Sequence, residues 1–454
     1  MTVETFLDGR VTLHAGDSRE VLKTIPDCSI DSIVTDPPYA LVSIVKRFGN
    51  TKESDDTKTS ARVRSRADGY ARLSAGGFMG KKWDTGETAF AADFWAECLR
   101  VLKPGGHVVA FSGTRTYHRM ACAIEDAGFE VRDMLSWLYG SGFPKSHDVS
   151  KGIDRAAGAE RTEGAREWSG GSRSSGISHG GEQSGTTSRT IFDTPASLGA
   201  IEWQGWGTAL KPACEPICFG RKPLIGTVAQ NVLKHGTGAI NIDACRVGMM
   251  TAEEVARSGA STGGYSGGLK PVSWKDEFRE PQGRWPANII HDGSDEVIAA
   301  FPETTSGLFN GERSSDKFRS TYGSFKGTAA GETETYGDSG SAARFYYTAK
   351  ADAHDRIGSK HPTVKPVDLM QWLCRLVTPK GGTVLDPFAG TGTTGEAAFR
   401  EGMLAVLVER EEEYQADIRR RMGLVLAGPD ERARESIKAR TAGQPIDAGP
   451  LFSG

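Results

Sequence analysis

Strand-like and helix-like segments alternate at both ends of this 454-residue chain, and the alternation is absent from its middle. Runs of β-branched and apolar residues predict strands, and apolar residues at helical spacing predict the helices between them. The predicted strands are 11–14, 30–35, 107–112, 134–139, 384–385 and 404–408, with 216–219 as one more candidate; the predicted helices are 19–22, 94–102, 117–127, 369–377, 393–400 and 411–424. This order predicts an α/β fold built on a doubly wound, mostly parallel sheet.

The middle of the chain is polar and rich in glycine, which predicts loops rather than a continuation of the sheet. Residues 140–190 contain eleven Gly and ten Ser, a composition typical of flexible loops and linkers. Regular structure returns near the C-terminal end. We therefore expect one half of a sheet domain at 1–140, a polar insertion at 141–345, the other half of the same domain at 346–428, and a disordered tail at 429–454.

The composition argues against membrane and secreted proteins. No apolar run approaches the roughly 18 residues that span a bilayer, and residues 1–8 lack the apolar stretch of a secretory signal. The seven cysteines are scattered, and the close pair Cys214 and Cys218 lacks the neighbours of a zinc site, so we expect reduced thiols, no metal and a cytoplasmic location. The net charge of −3 does not exclude nucleic acid, because residues 46–72 carry eight Lys or Arg against four acids.

A glycine-rich turn joins two of the predicted C-terminal elements, a strand and a helix. Gly390, Gly392 and Gly395 fit the pattern GxGxxG, in which glycine lets the backbone turn sharply and approach a ligand. Glu409, at the end of the next predicted strand, suits the hydroxyl pair of a ribose. Asp386 precedes the turn and would repel a phosphate, which favours a cationic cofactor with an amino-acid end over a dinucleotide.

A second group of polar and aromatic residues, Asp36-Pro37-Pro38-Tyr39, follows the predicted strand 30–35. The two prolines exclude helix and sheet hydrogen bonding, since proline lacks the N–H and has a fixed φ. Asp36 and the Pro37 carbonyl can each accept one hydrogen of a planar amine while Tyr39 stacks on its ring. Both motifs lie at carboxyl ends of predicted parallel strands, where open α/β sheets bind ligands. We therefore expect the two motifs to lie side by side, although about 350 residues separate them.

These motifs resemble the catalytic and cofactor signatures of the S-adenosylmethionine-dependent DNA amino-methyltransferases. Asp-Pro-Pro-Tyr followed, after a long variable region, by Asp-Pro-Phe-x-Gly-x-Gly is similar to the beta order of motifs in that family. The segment 361–366 (His-Pro-Thr-Val-Lys-Pro) looks like an additional cofactor-side motif, and 142–146 (Gly-Phe-Pro-Lys-Ser) resembles phage or prophage members. The resemblance implies a Rossmann-like methyltransferase fold with a seven-stranded sheet, a catalytic half, a cofactor-binding half, and target recognition in the insertion.

The resemblance also assigns roles to individual residues. The catalytic motif would be Asp36, Pro37, Pro38 and Tyr39. S-adenosylmethionine would be bound by Asp17, His361, Lys365, Asp386, Phe388, Gly390, Gly392, Thr393 and Glu409. Asp386 would lie near the methionine amino group, Glu409 on the ribose and Asp17 on the adenine amine. His361 and Lys365 would close the methionine side. DNA would be contacted by Lys46, Arg47, Arg62, Arg64, Arg66 and Lys145.

The activity implied by the resemblance is methyl transfer to the exocyclic amine of a base in double-stranded DNA. The sulfonium is already activated, so the protein mainly positions the reactants, and no metal is required. The base must leave the duplex and would stack on Tyr39. Asp at the first motif position favours adenine N6, with cytosine N4 as the alternative.

Other functions and partners stay open at this point. A nicotinamide-dependent oxidoreductase would use the glycine turn, but only 45 residues follow Glu409 and the Asp-Pro-Pro-Tyr motif would be unexplained. A DNA-binding relative without activity is opposed by the intact motif positions. The sequence leaves open a homodimer, a partner restriction nuclease, and a replication clamp bound through Leu451 and Phe452 of the tail.

Overall fold

The computed structural model describes residues 2–39, 88–142, 146–166, 189–248, 283–305, 339–349 and 353–441. The chain divides into two compact units, one of residues 1–140 with 214–454 and one of residues 141–213. Within the described ranges, no helix is long and apolar enough to cross a membrane. The residues predicted to contact DNA, namely Lys46, Arg47, Arg62, Arg64, Arg66 and Lys145, all lie outside the described residues.

Strands and helices alternate along the larger unit, as the sequence pattern predicts. The strands described are β1 (Thr2–Phe6), β2 (Val11–Ala15), β3 (Ile30–Thr35), β4 (Leu102–Phe111), β5 (Glu130–Leu138), β6 (Thr162–Arg166), β7 (Arg189–Thr194), β8 (Cys214–Arg221), β9 (Ile289–His291), β10 (Glu303–Thr305), β11 (Ser339–Ser341), β12 (Tyr347–Thr348), β13 (Thr383–Asp386) and β14 (Leu404–Glu409). The α-helices described are α1 (Ser18–Leu22), α2 (Ala92–Val101), α3 (Tyr117–Asp126), α4 (Val149–Ala157), α5 (Leu198–Glu202), α6 (Val228–His235), α7 (Asp295–Ala300), α8 (Val367–Val377), α9 (Thr393–Arg400), α10 (Glu412–Leu424) and α11 (Pro429–Thr441).

Ten of these strands form one sheet, in the order β1-β2-β14-β13-β3-β4-β8-β5-β9-β12. Strands β2, β14, β13, β3 and β4 run parallel to one another, whereas β8 is antiparallel to both β4 and β5. The predicted α/β class with a doubly wound, mostly parallel sheet is confirmed. The sheet has ten strands rather than the expected seven, because β1 pairs with β2 as a hairpin at one edge and the short strands β9 and β12 extend the other.

Two apolar cores cover the two faces of this sheet. Strand β3 is buried at every position, as expected for a parallel strand covered on both sides. Its side chains alternate, so that Val34 packs into the core beneath α8 and α9, and Ile33 packs into the core beneath α2 and α3. Trp372 and Trp95 are the largest fully buried side chains of the respective cores. Packing from both faces fixes the central strands and thereby the positions of their carboxyl ends.

The structure differs from the expected domain limits in two places. The candidate strand 216–219 is confirmed, since it forms part of β8 in the main sheet. Strand β9 also lies in this sheet, although residues 141–345 were expected to form a polar insertion. Residues 429–441, expected to be part of a disordered tail, form α11. This helix has few apolar residues, so its sequence carries no apolar pattern that would predict it. Buried polar contacts hold it in place, because Arg432 Nη1 donates hydrogen bonds to Glu396 Oε1 (2.7 Å) and to Leu424 O (3.1 Å). Residues 442–454 lie outside the described residues.

The smaller unit, residues 141–213, contains α4, α5 and the antiparallel pair β6 and β7. Asp148 caps the start of α4 and Gly158, with φ +64°, ends it. Asp154 is buried and accepts hydrogen bonds from Arg161 Nε (2.7 Å) and from Ser197 Oγ (2.7 Å). Regular structure is therefore present at 149–166, where the glycine and serine content predicted a flexible loop.

Candidate active site

The two predicted motifs follow neighbouring strands of the sheet. Strand β3 ends at Thr35 and β13 ends at Asp386, and the two strands pair in parallel, with Leu385 opposite Ile33. Thr35 Oγ1 donates a 2.6 Å hydrogen bond to Asp386 Oδ1, so the strand ends are joined directly. The expectation that Asp36-Pro37-Pro38-Tyr39 and the glycine turn lie side by side is therefore confirmed by the strand pairing.

The glycine turn has the backbone geometry that its sequence predicts. Gly390 and Gly392 have φ values of +52° and +79°, in the left-handed region that side chains disfavour. Gly392 immediately precedes α9, and a Cβ at this position would lie 3.0 Å from Ile418 Cγ1. Thr393 begins the helix and is buried. The turn thus brings bare backbone to the carboxyl edge of the sheet, at the start of a helix.

Asp386 fixes this turn from below. Its Oδ2 accepts a hydrogen bond from Thr394 Oγ1 (2.5 Å), and its Oδ1 accepts bonds from Thr35 Oγ1 and from Phe388 N (3.1 Å). Burial raises the pKa of Asp386 to about 6, although the hydroxyl groups of Thr35 and Thr394 act to lower it. The Phe388 ring packs 5.2 Å from the ring of Phe94 on the opposite face from Tyr39. Both oxygens of Asp386 therefore hold protein groups in place.

Glu409 ends β14 and lies beside the same turn. Its two oxygens accept hydrogen bonds from Gly390 N and Glu411 N, both at 2.8 Å. Burial raises the pKa of Glu409 to about 7. Asp17 follows the adjacent strand β2 and caps α1 by accepting a hydrogen bond from Arg19 N (2.9 Å). The residue before it, Gly16, donates its backbone N–H to Glu409 O. Asp17 and Glu409 thus occupy neighbouring strand ends, as the sequence predicts.

The His361 ring lies against Gly390 of the glycine turn. Its Nε2 is 3.7 Å from the point where a Cβ on Gly390 would lie, and its ring packs on Tyr414 at 4.5 Å. Burial lowers the pKa of His361 to about 4, so the ring is neutral near pH 7. A bond between His361 Nδ1 and the backbone of Thr363 fixes the ring.

The Lys365 side chain contacts the Asp-Pro-Pro-Tyr motif. It was expected to lie on the methionine side of the cofactor, but in the structure its ammonium group binds residues of that motif. Lys365 Nζ lies 2.7 Å from Asp36 Oδ2, 3.1 Å from Glu215 Oε2 and 3.1 Å from Tyr39 Oη. Tyr39 Oη donates in turn to Glu215 Oε2 (2.9 Å), and the Tyr39 carbonyl accepts a bond from Thr116 Oγ1 (2.9 Å). These contacts define the base-side cluster, namely Asp36, Tyr39, Glu215 and Lys365.

One carboxylate oxygen in this cluster lacks a hydrogen-bond partner among the described residues. Asp36 Oδ2 binds Lys365, but Asp36 Oδ1 is buried and has no hydrogen-bond partner among the residues that the structure describes. A buried acceptor without a partner costs free energy, so Asp36 Oδ1 marks a place where a donor other than the described residues would bind. Burial, with Asp36 and Glu215 nearby, raises the pKa of Tyr39 well above its usual value, so the phenol stays neutral.

Glu215 is the residue that sequence reasoning missed. It lies on β8, the antiparallel strand, directly before the predicted segment 216–219. A weak signal was present, because an acid beside a run of buried apolar residues must find a partner. The sequence could not indicate which partner, since the antiparallel insertion of β8 beside β4 decides it.

Comparison with known proteins gives the family of this fold and site. The model of a family described as DNA methylase matches residues 30–157 and 234–420. The chain belongs to the DNA methylase family. The matched ranges include Asp36-Pro37-Pro38-Tyr39, the 361–366 segment and the glycine turn. The motifs that carried the resemblance in the sequence therefore lie in the part of the chain that the family model matches.

Individual relatives of this family member are distant. It is 25% identical to the type II methyltransferase M.HindIII of Haemophilus influenzae over 241 residues, which are 50% of this chain and 64% of that protein. It is 38% identical to the type II methyltransferase M2.DpnII of Streptococcus pneumoniae over 68 residues, 15% of this chain and 25% of that protein. The chain thus spans less than two thirds of the length of these relatives.

Solved structures are also similar at low identity. A DNA modification methylase of Thermus thermophilus is 16% identical, with 92% of this chain and 96% of that chain covered and a TM-score of 0.37. Because this TM-score is low, membership of the DNA methylase family rests on the family model.

Proposed function

We propose that this DNA methylase transfers the methyl group of S-adenosylmethionine to the exocyclic amine of a base flipped out of double-stranded DNA at specific sites. The observation that carries the proposal is the buried Asp36 Oδ1, which has no partner among the described residues and lies in a motif that shares a sheet edge with the glycine turn. An amine hydrogen is the donor that such an oxygen requires. Family membership makes the base of a nucleic acid the amine to consider first.

The residues around the glycine turn fit an adenosine-bearing, cationic cofactor. Gly390 leaves open backbone facing His361, and the Glu409 carboxylate beside it can accept ribose hydroxyl groups with its remaining lone pairs. Asp386, Phe388, Gly392 and Thr393 would shape the methionine side, and Asp17 the adenine side. When bound, S-adenosylmethionine supplies an activated methyl group, so the protein has to orient and desolvate rather than activate.

Asp36 and Tyr39 would position the target amine. The ring amine is a weak nucleophile because its lone pair delocalises into the base. A hydrogen bond from the amine to Asp36 Oδ1, with the second amine hydrogen bound by the Pro37 carbonyl, favours a pyramidal nitrogen whose lone pair points at the methyl group. When the nitrogen gains the methyl group it loses one proton, and we assign Asp36 Oδ1 as its acceptor. Tyr39 would stack on the extruded base.

We assign adenine N6 as the acceptor, with cytosine N4 as the alternative. The support is Asp36 at the first position of the motif, where similar adenine enzymes carry Asp and cytosine enzymes more often carry Ser. Sequence recognition would reside in residues 141–345, and Lys46, Arg47, Arg62, Arg64, Arg66 and Lys145 would neutralise backbone phosphates. Each phosphate contact removed should reduce the slope of log K against log salt by about 0.9.

Transfer of labelled methyl groups tests the proposal. Purified protein is incubated with methyl-labelled S-adenosylmethionine and unmethylated duplex DNA, and the DNA is digested to nucleosides for mass spectrometry. The expected product is N6-methyldeoxyadenosine. N4-methyldeoxycytidine would replace adenine by cytosine in the proposal, and label only in RNA or protein would overturn it. Calorimetric titration under the same conditions should show saturable binding of S-adenosylmethionine and none of NADH.

A further inference from the structure

We propose that Lys365 and Glu215 are positioning residues that keep Asp36 ionised and Tyr39 oriented for the target base. The inference rests on the proposed function, because it concerns how the groups assigned to the base are held. Neither residue needs to touch the base or the cofactor for this role. Lys365 is contributed by the segment before α8 and Glu215 by β8, so two distant parts of the chain complete the motif.

The hydrogen-bond capacity of the ammonium group is fully used in the base-side cluster. Lys365 Nζ has three hydrogens and three oxygen neighbours, on Asp36, Glu215 and Tyr39, at 2.7, 3.1 and 3.1 Å. Tyr39 Oη accepts from Lys365 and donates to Glu215, which closes a ring of hydrogen bonds. The Lys365 side chain is 5% exposed, and its Nζ lies 4.9 Å from the centre of the Phe111 ring. A cation held in this way fixes the Asp36 carboxylate and the Tyr39 ring together.

Charge balance explains why a cation is needed. Asp36 and Glu215 are two largely buried carboxylates that contact the same ammonium group, and without that cation the repulsion between their charges would favour a state in which one of the pair keeps a proton. A protonated Asp36 would donate a hydrogen bond where the target amine requires an acceptor. Burial acts to lower the pKa of Lys365, but Asp36 and Glu215 together raise it well above its usual value. Lys365 therefore stays charged and lies between the two carboxylates.

The second carboxylate has its own role in this balance. If Lys365 were paired with Asp36 alone, the pair would be neutral. With Glu215 ionised the cluster carries one net negative charge, and this charge favours the positive charge that develops on the amine nitrogen during methyl transfer. Glu215 also accepts the Tyr39 hydrogen bond, so it orients the ring on which the base would stack.

Other titratable groups face the cluster and define the conditions of a test. Tyr139, after β5, has its pKa raised to about 12 by burial and by Glu215 and is neutral in the usual range. Burial raises the pKa of Asp386 to about 6, and the charge of Asp36 adds to this rise. His361, which faces Lys365, is neutral above pH 5. Burial also raises the pKa of the Cys214 thiol. Glu409, whose pKa is raised to about 7, titrates in wild type and variants alike, so the differences between variants, rather than the pH dependence of any one of them, report on the cluster.

The first test compares single-turnover rates of methyl transfer into unmethylated plasmid DNA from pH 6.5 to 9.5. Lys365→Met should lower the rate about 100-fold at pH 7, and the rate should recover as the pH rises, because the shared proton leaves the two carboxylates. Lys365→Met with Glu215→Gln should recover part of the rate at pH 7 and lose this pH dependence, because a lone carboxylate ionises normally. The matched control is Lys103→Met, which breaks a comparable pair with Asp31 (2.6 Å) at the opposite end of β3 and should leave the rate unchanged.

The second test needs no activity. The proton shared in Lys365→Met gives its carboxylate pair a raised pKa in the folded state, so its contribution to stability is present at low pH and lost as the pH rises. Urea unfolding should therefore show Lys365→Met losing stability relative to wild type between pH 6.5 and 9, with a much smaller change in the double variant. If wild type transfers no methyl group to DNA, the proposed function fails while this series still decides whether the charge balance exists.

Two results would overturn the inference. One is a Lys365→Met enzyme whose rate and stability keep the wild-type pH dependence, since a ligand of the cofactor or a merely structural lysine would behave in this way. The other is measured on Glu215→Gln, a variant that retains Lys365 and can be used if Lys365→Met does not fold. It should lower the rate about 10-fold without changing the affinity for S-adenosylmethionine, so an unchanged rate contradicts the role of Glu215.

Discussion

Thr35 Oγ1 donates a 2.6 Å hydrogen bond to Asp386 Oδ1, although 351 residues separate the two in the chain. The contact joins the last residues of two neighbouring parallel strands. One strand continues into the motif assigned to the target base, and the other continues into the turn assigned to the cofactor. The strand pairing sets the spacing between the two sides of the proposed reaction, and this buried hydrogen bond joins them at the strand ends.

Thr35→Val should destabilise the protein by about 1–3 kcal/mol, because the buried Asp386 carboxylate loses a donor. Since that hydrogen bond lowers the pKa of Asp386, its removal should raise the pKa above the present value of about 6. Urea unfolding should show a larger loss at pH 8, where the carboxylate is ionised, than at pH 5. Thr378→Val breaks a buried bond to the neutral Ser32 (2.7 Å) and should cost the same at both pH values. Equal losses of stability at both pH values for Thr35→Val would contradict the view that this hydrogen bond stabilises the ionised Asp386 carboxylate.

Asp36→Asn should lower the rate of methyl transfer about 100- to 1000-fold, because the amine loses its charged acceptor in the transition state. The affinity for S-adenosylmethionine should change little, as measured by calorimetric titration. Asp31→Asn is the matched control. Asp31 is the second residue of the same buried strand and is also paired with a lysine, Lys103, but near the opposite end of that strand. It should cost stability and leave the rate intact. A wild-type rate of methyl transfer in Asp36→Asn would contradict the role of Asp36 as acceptor for the target amine.

Glu409→Gln should change how stability depends on pH. The pKa of Glu409 is raised from 4.5 to about 7 in the folded state, so the proton it keeps stabilises the fold below pH 4.5. This contribution is lost as the pH rises through 7. The free energy of unfolding of wild type relative to Glu409→Gln should therefore fall between pH 4.5 and 7.5, by on the order of 3 kcal/mol. The exposed Glu412→Gln should give no such difference, and identical pH slopes for Glu409→Gln and wild type would refute the prediction.

Gly392→Ala should destabilise the protein more than Gly402→Ala. Both glycines have positive φ values, +79° and +72°, which cost about 1–2 kcal/mol with any side chain. Only the Cβ at residue 392 meets a neighbour, Ile418 Cγ1 at 3.0 Å, whereas the one at residue 402 meets open space. Thermal unfolding measures the difference, and only Gly392→Ala should also weaken binding of S-adenosylmethionine. Equal effects on stability and on binding would show that the turn is not tightly packed.

Arg432→Met should destabilise the protein by about 2 kcal/mol, because Arg432 Nη1 binds the fully buried Glu396. Glu396 also pairs with Arg421 Nη1 (2.7 Å), whose Nε donates to Thr391 O within the glycine turn. Loss of Arg432 should therefore lower cofactor affinity as well as stability. Arg434→Met, an exposed position on the same helix, is the control and should be nearly neutral. Equal effects of the two variants would mean that α11 is not docked through this pair.

Local signals predicted the elements of the site well. The limits of β3 at 30–35 and of α9 at 393–400 agree with the pattern, because a β-branched run ending at two prolines and a glycine turn before a helix are both local. The helix α11 was missed for the opposite reason. Its stability comes from Arg432 and Glu396, which pair across 36 residues and leave no apolar periodicity in the helix itself.

The sequence by itself determined the two motifs, the α/β class and the carboxyl edge where they lie, because strand ends and turns are specified by neighbouring residues. Only the tertiary structure decided that Lys365 and Glu215 meet at Asp36 and Tyr39. Strand order and the antiparallel insertion of β8 are fixed by packing across the whole sheet, and packing brings together charges whose separation along the chain carries no signal.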